Sequence, residues 1–269
     1  FSGSLSATAA KEALGRQLGN ESKMYLYRNN HDGTFTNVSG SMGLDHPVFA
    51  MGFNFGDIDN DGWPDMYMGT GNPDFQSLVP NRMFKNIGGK RFVDVTQSAR
   101  VGNLQKGHGV AFADIDNDGD QDIFSEIGGA FVGDGYFNSL YVNPGQNANE
   151  WISVQLEGTT SNRSAIGATI SVNFTEDGVK RTVYQEVNSG GSFGASPFRK
   201  EIGIGKARII DELIIKWPTS GIVQVFKNIP PCRFLKIKEG INKLQYEDLK
   251  VLNFSNQPAV PMISCAPPK

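Results

Sequence analysis

Ten residues limit what this chain can fold into more than any other feature. GDIDNDGWPD, Gly56 to Asp65, returns 57 residues later as ADIDNDGDQD, Ala113 to Asp122. The repeat is wider than the loop. Asn29, Phe35, Val38, Gly52 and Phe55 recur at the same offset as Asn86, Phe92, Val95, Gly109 and Phe112, and a third partial copy opens at SLYVN, where Asn143 answers Asn86. A fixed period of this length is the mark of a solenoid, a propeller or an array.

Within the first loop Asp57, Asp59, Asp61 and Asp65 take positions 1, 3, 5 and 9, with Gly62 at position 6; Asp114, Asp116, Asp118, Asp122 and Gly119 repeat the pattern. Four carboxylates this close repel one another unless a hard divalent ion sits among them. Alternate spacing lets a curled backbone aim several oxygens at one point, and glycine at position 6 permits the sharp turn. All-oxygen ligands favour Ca²⁺ over zinc or copper. The backbone carbonyl at position 7, Trp63 or Asp120, is the expected additional ligand. An EF-hand is excluded, because it needs a bidentate Glu at position 12 and these loops hold Met68 and Ser125 there. A metal-free acidic turn of the Asx kind is the alternative, and it suits one such loop better than two in one register. Eight loop aspartates exceed the whole formal charge of −3, so the rest of the chain is net positive and two Ca²⁺ ions would turn the total slightly positive. Each ion is expected to tie its own blade together, a structural role.

Between the loops the chain reads as short β-segments. MYLYRN, RFVDV, GVAFADI and DIFSEI cluster or alternate β-branched and aromatic residues, with Gly, Asn and Asp as punctuation. Four short strands per repeat suit a propeller blade. After Asn149 the repeat stops, and WISVQLEG, GATISVNF, RTVYQEV, ELIIKW, IVQVF and RFLKIKEG read as strands of a second, antiparallel sandwich-like domain. The predicted division is 1–149 for two and a half blades, 150–246 for the second domain and 247–269 for an extended tail. The fold class is therefore all-β. The one fair helix candidate is ATAAKEALGRQL, stopped by Gly19.

The two loops, each preceded by an LYxN…GxFxxV type segment, resemble the FG-GAP/VCBS repeat of integrin-like β-propellers. The second domain, with IGATISV, NSGGSFGASP, EIGIGKA, ELIIKWPTSG and NIPPCRFLKIKEG, is similar to the ASPIC/UnbV domain. The resemblance implies a secreted or cell-surface protein, Ca²⁺ in the repeat loops and mainly binding or assembly roles. Propellers of this type have about seven blades, so the chain is expected to be the C-terminal portion of a longer protein or to cap an incomplete propeller. An open blade leaves a strand edge that needs a partner.

Other readings follow by elimination. A content of 39% hydrophobic and 20% charged residues argues against disorder. No basic run interleaved with aromatics is present, so nucleic acid is not an expected partner. No apolar stretch nears the roughly 18 residues of a membrane span, and no signal-type start is visible. GGSFG, Gly190 to Gly194, matches a nucleophile elbow, but His31, His46 and His108 all precede Ser192 and no helix pattern follows it. No catalytic residue is assigned and the chain is not expected to be an enzyme. Cys232 and Cys265 are either one disulfide or two thiols. Trp63, Trp151 and Trp217 are either sugar-stacking or core residues. Sequons at Asn20, Asn37, Asn162, Asn173 and Asn253 are compatible with secretion. The leading expectation is a calcium-binding extracellular interaction module. Its partners would be an extracellular protein or glycan, or neighbouring subunits of a surface assembly. The alternative is the accessory C-terminal region of a larger secreted enzyme.

Overall fold

The computed structural model describes residues 23–71, 79–129, 131–133, 135–145, 148–191 and 193–254, together with Thr8, Lys11, Glu12 and Leu14. Of the predicted helix, Thr8, Lys11 and Glu12 are helical, and most of the rest lies outside the described residues. Cys265 and Ser192 also lie outside them, and with Cys265 the disulfide question. Among the described residues no helix is long and apolar enough to cross a membrane.

The protein is all-β. Strands β1 (Tyr27–Asn29) and β2 (Phe35–Asn37) make a two-stranded sheet. A four-stranded meander follows: β3 (Ala50–Gly56), β4 (Asp65–Thr70), β5 (Arg82–Asn86) and β6 (Phe92–Asp94). The next sheet holds β7 (Gly107–Ala113), β8 (Asp122–Ile127) and β9 (Ser139–Tyr141). Each pairs neighbours in sequence, antiparallel, which is the construction of a propeller blade. The 57-residue period is visible in the register itself. Gly56 pairs with Asp65 and Ala113 with Asp122, so both aspartate loops close on the same rung. Bulges at Ala50/Gly52 and Gly107/Val110 also coincide.

Period-2 alternation decides what each blade buries. Met66, Met68 and Phe84 of the second sheet pack with Leu44, Val48 and Phe92. Tyr67 and Met83, on the opposite face, pack with Val110, Phe112 and Ile123 of the third sheet. Consecutive blades therefore stack face to face through aliphatic and aromatic contact.

The second region is a two-sheet sandwich. Its strands are β10 (Glu150–Glu157), β11 (Thr169–Glu176), β12 (Val179–Glu186), β13 (Lys200–Gly205), β14 (Ile210–Lys216), β15 (Val223–Ile229), β16 (Arg233–Lys238) and β17 (Gln245–Glu247). They lie in the orders β13-β10-β16-β17 and β12-β11-β14-β15. Every pairing is antiparallel except β10 with β16, which run parallel. Ile152, Val154 and Leu156 of one sheet face Ile170, Val172 and Phe174 of the other, all fully or almost fully buried. Trp217 belongs to this core and donates its indole N–H to Gln224 Oε1 at 2.6 Å.

Candidate metal centre

Each aspartate loop is a strand-to-strand connection, β3 to β4 and β7 to β8, as the residue pattern requires. The structure brings together one carboxylate oxygen from each of Asp57, Asp59 and Asp61, all within 4.8 Å of one another, and does the same with Asp114, Asp116 and Asp118. The folding of the loop is written in its own hydrogen bonds. The position-1 carboxylate turns back over the loop and accepts two backbone N–H groups: Asp57 from Asp61 (3.0 Å) and Gly62 (2.8 Å), Asp114 from Asp118 (3.1 Å) and Gly119 (3.2 Å). The position-5 carboxylate accepts the N–H of position 7, Trp63 to Asp61 at 2.8 Å and Asp120 to Asp118 at 2.9 Å. Two residues per loop take the left-handed conformation: Gly62 (φ 82°) and Gly119 (φ 97°), and two positions earlier Asn60 (φ 55°) and Asn117 (φ 61°). Asparagine is among the few side chains that accept it readily.

Asp65 and Asp122 do not join these triads. Asp65 accepts the N–H of Ile58 at 3.0 Å and of Asn86 at 2.7 Å; Asp122 accepts those of Ile115 at 3.0 Å and Asn143 at 2.8 Å. Position 9 thus ties the loop to the next strand, and each oxygen keeps a lone pair. Asn86 and Asn143 carry the repeat's second signature through their side chains: Nδ2 donates to Pro64 O and to Gln121 O, each at 3.2 Å, and Oδ1 accepts the N–H of Gly89 at 2.9 Å and of Gly145 at 3.3 Å.

The triads are electrostatically loaded. Burial, reinforced by the charge of Asp59, pushes Asp61 up to about 6. Burial lifts Asp65 to about 7 against the opposing N–H bonds of Asn86 and Ile58. It lifts Asp114 to about 7 as well, although the Arg199 guanidinium pulls the other way. Asp57, Asp116 and Asp122 are also raised, with burial the first cause in each. Asp59 Oδ1 is buried without a hydrogen-bond partner. An all-oxygen, anionic donor set with an orphaned buried oxygen fits a hard divalent cation. Each cluster could hold a metal ion.

The two clusters are not identical. Lys85 Nζ lies 2.6 Å from Asp59 Oδ2, whereas the repeat places Val142 at the corresponding position of the third blade. Sequence reasoning passed over Lys85, although sliding the repeat against itself exposes the difference.

It also could not find what lies above the loops. Arg181 of β12 donates to Asp61 O at 2.8 Å and its guanidinium stacks over the Trp63 ring, 5.1 Å from the centroid. Arg199 donates to Asp114 O at 2.6 Å and to Asn117 Oδ1 at 3.1 Å. Trp151 lies against Gly119, where an added Cβ would fall 1.9 Å from the ring, and against Phe234. Trp63 is pressed from its other quarter by Gly89. Trp151 and Trp217 are thus packed against protein, while Trp63 keeps contacts with Arg181 and Gly89 and stays 36% exposed.

The catalytic decoys take other roles. Residues 193–195 pair with Val110 of strand β7: Val110 N–H donates to Phe193 O at 3.1 Å and Ala195 N–H to Val110 O at 3.2 Å. They lead into strand β13, not into a helix. His108 Nε2 lies 3.2 Å from Gly128 O, and His46 Nδ1 is 3.0 Å from Glu12 Oε1. Burial and the neighbouring Glu150 carboxylate push the Cys232 thiol up to about 11.

Comparison with known proteins agrees with this architecture. Residues 14–68 and 69–125 match the family model of the FG-GAP-like repeat, and residues 158–244 match that of ASPIC and UnbV. No curated protein matches the chain.

Proposed function

We propose that this chain, two FG-GAP-like repeats followed by an ASPIC and UnbV domain, is a calcium-binding, non-catalytic interaction module of the cell exterior. The observation that carries the reading is the pair of aspartate triads, formed twice in one geometry, with buried carboxylates raised towards neutrality and one oxygen left unpartnered. Asp57, Asp59 and Asp61, and Asp114, Asp116 and Asp118, would hold one Ca²⁺ each, with Asp65, Asp122 and the carbonyls of Trp63 and Asp120 completing the oxygen shell. Loops of this kind in extracellular modules bind at roughly 10⁻⁴ to 10⁻³ M, which suits a calcium-rich exterior.

A partner surface supports the interaction role. Tyr67 and Met83 are fully buried between the second and third blades. Their counterparts 57 residues on, Phe124 and Leu140, are 38% and 44% exposed, with Phe137 beside them in sequence at 78%. The third blade thus offers apolar residues at the positions through which its predecessor stacks, a face suited to a protein neighbour in an assembly.

The test is calorimetric titration of the chelated chain with Ca²⁺, paired with thermal melting. Two ions are expected, with a fall in melting temperature of about 5 °C or more on adding EDTA. A melting curve indifferent to EDTA, with no heat of calcium binding, would remove the reading. A finer expectation concerns Lys85, whose ammonium competes with the ion for Asp59. Lys85→Gln should tighten one of the two binding steps by about threefold to tenfold, a modest gain because the pair is partly solvated. Unchanged affinity at both steps would show that the lysine does not compete.

A further inference from the structure

Besides the bonds that Asn86 and Asn143 make to the two loops, a second set reaches them from beyond residue 148. In the first loop the carbonyl of Asp59 accepts from Asn149 Nδ2 (2.8 Å), that of Asn60 from Gly205 N–H (2.9 Å) and that of Asp61 from Arg181 Nη2 (2.8 Å). In the second, Asp114 O accepts from Arg199, Asp116 O from Leu252 N–H (2.7 Å), and Asn117 Nδ2 donates to Lys250 O (3.2 Å). Three consecutive carbonyls of one loop and two of the other are therefore held by the sandwich, its leading segment and the chain that follows it. These carbonyls belong to the residues that bear the triad carboxylates, or to the left-handed residue between them.

Close packing says the same. A Cβ on Gly203 would fall 2.4 Å from Asn60 Cα and 2.2 Å from Asp57 Oδ2, and one on Gly119 would strike Trp151. The bare backbone of edge strand β13 lies directly on the first loop, and β10 meets the second through its tryptophan. The loops also touch each other: Asn60 Nδ2 donates to Gly119 O (3.1 Å) and to Asp120 Oδ1 (2.7 Å).

We propose that the two aspartate loops are the docking surface of the sandwich domain, so that filling them with a divalent cation and seating that domain are one linked event. The proposal rests on the calcium reading above and adds a coupling to it. An ion fixes the loop backbone in the shape whose carbonyls Arg181, Arg199, Gly205 and Leu252 meet; without it, carboxylate repulsion opens that shape and the donors lose their acceptors. Linkage makes the effect reciprocal, so weakening the dock must weaken the ion. Arg181 and Arg199 are positioning residues in this scheme: they hold loop carbonyls, and Arg199 also lies 3.7 Å from Asp114 Oδ2.

The test uses the intact chain. Amide exchange is followed in millimolar Ca²⁺ and in EDTA, with Gly205 and Leu252 as reporters, since their N–H groups end on the loops, and Val172 in the sandwich core as control. Exchange at both reporters should quicken at least tenfold in EDTA while Val172 stays protected. Removing the guanidinium charge 3.7 Å from Asp114 Oδ2 would by itself favour the ion, as at Lys85, so the step weakened by roughly tenfold that is expected in calcium titration of Arg199→Gln reads the lost hold on Asp114 O and Asn117. Saturating calcium should restore the reporters' protection in this variant, which a merely misfolded dock would not allow. Gly203→Ala, whose methyl group would press on Asn60 and the Asp57 carboxylate from β13 without substituting any loop residue, should lose affinity at the first loop. If two ions bind but the reporters ignore EDTA and both variants bind as the parent does, the coupling is wrong and the calcium reading stands. If no ion binds, both fall.

Discussion

Gly119→Ala should destabilise the protein by about 3 kcal/mol or more, whereas Gly178→Ala, at an equally left-handed glycine, should cost only about 1–2 kcal/mol. The two positions share the backbone contribution, with φ of 97° and 79°. They differ in what surrounds them. Nothing lies within 4 Å of a Cβ on Gly178, in the turn between β11 and β12, while a Cβ on Gly119 would overlap three atoms of the Trp151 indole at 1.9 to 2.3 Å. That ring also packs against Phe234 of the neighbouring strand β16, so displacing it disturbs a second contact. The expected outcome is a large loss in denaturation midpoint for the first variant together with loss of one calcium step. Equal costs for the two substitutions would mean that the loop and the sandwich do not touch as described.

The second large effect is a reversal of pH dependence on chelation. A carboxyl whose folded pKa is raised binds its proton more tightly in the native state than in the unfolded chain. Its stabilising contribution is full below the unfolded value near 4 and disappears as pH rises through the folded value. Asp61 at about 6, and Asp65 and Asp114 at about 7, set the window. In EDTA, stability should therefore fall as pH rises from about 4.5 to 7.5. The fall should be several kcal/mol, because raising one fully desolvated carboxyl from its ordinary value near 4 to about 7 corresponds to roughly 4 kcal/mol. In saturating calcium the ligands are held ionised, and acid removes the ion by protonating them, so stability should rise across the same window. Glu239 gives an internal reference. Although burial opposes it, bonds from Ser220, Thr159 and Ser161 hold it down to about 2. Its contribution is present above about pH 4.5 and is lost below, with or without metal. Parallel melting curves over this window in calcium and in EDTA would show that the loops hold no ion whose ligands must be ionised.

How much of this was legible in the residues differs between the blades and the joint. The blades could be read because their information is local and repeated. Aspartates at alternate positions, a glycine where only φ above zero will do, and asparagine 57 residues from asparagine each name a backbone need. The register that closes both loops on Gly56–Asp65 and Ala113–Asp122 meets those needs in the same way twice. Asn60 and Asn117 could have been found by the same comparison, since both copies keep asparagine at the strained position. The sandwich was legible as period-2 runs, but the parallel pairing of β10 with β16 was not, because the two strands are far apart in sequence and no turn between them fixes their direction. Position 9 was read as a further ligand, and its bonds to the next strand depend on how the blade closes.

The sequence alone thus determined the all-β class, the repeat and the identity of the six triad carboxylates, since spacing along one short loop suffices to bring their oxygens together. Only the tertiary structure decided that the sandwich sits on those loops, that Trp151 fills the space above Gly119, and that Arg181 and Arg199 reach loop carbonyls 120 and 85 residues away. Contacts of that range follow from the relative placement of two separately folded cores, and neither periodicity nor spacing within one core carries that information.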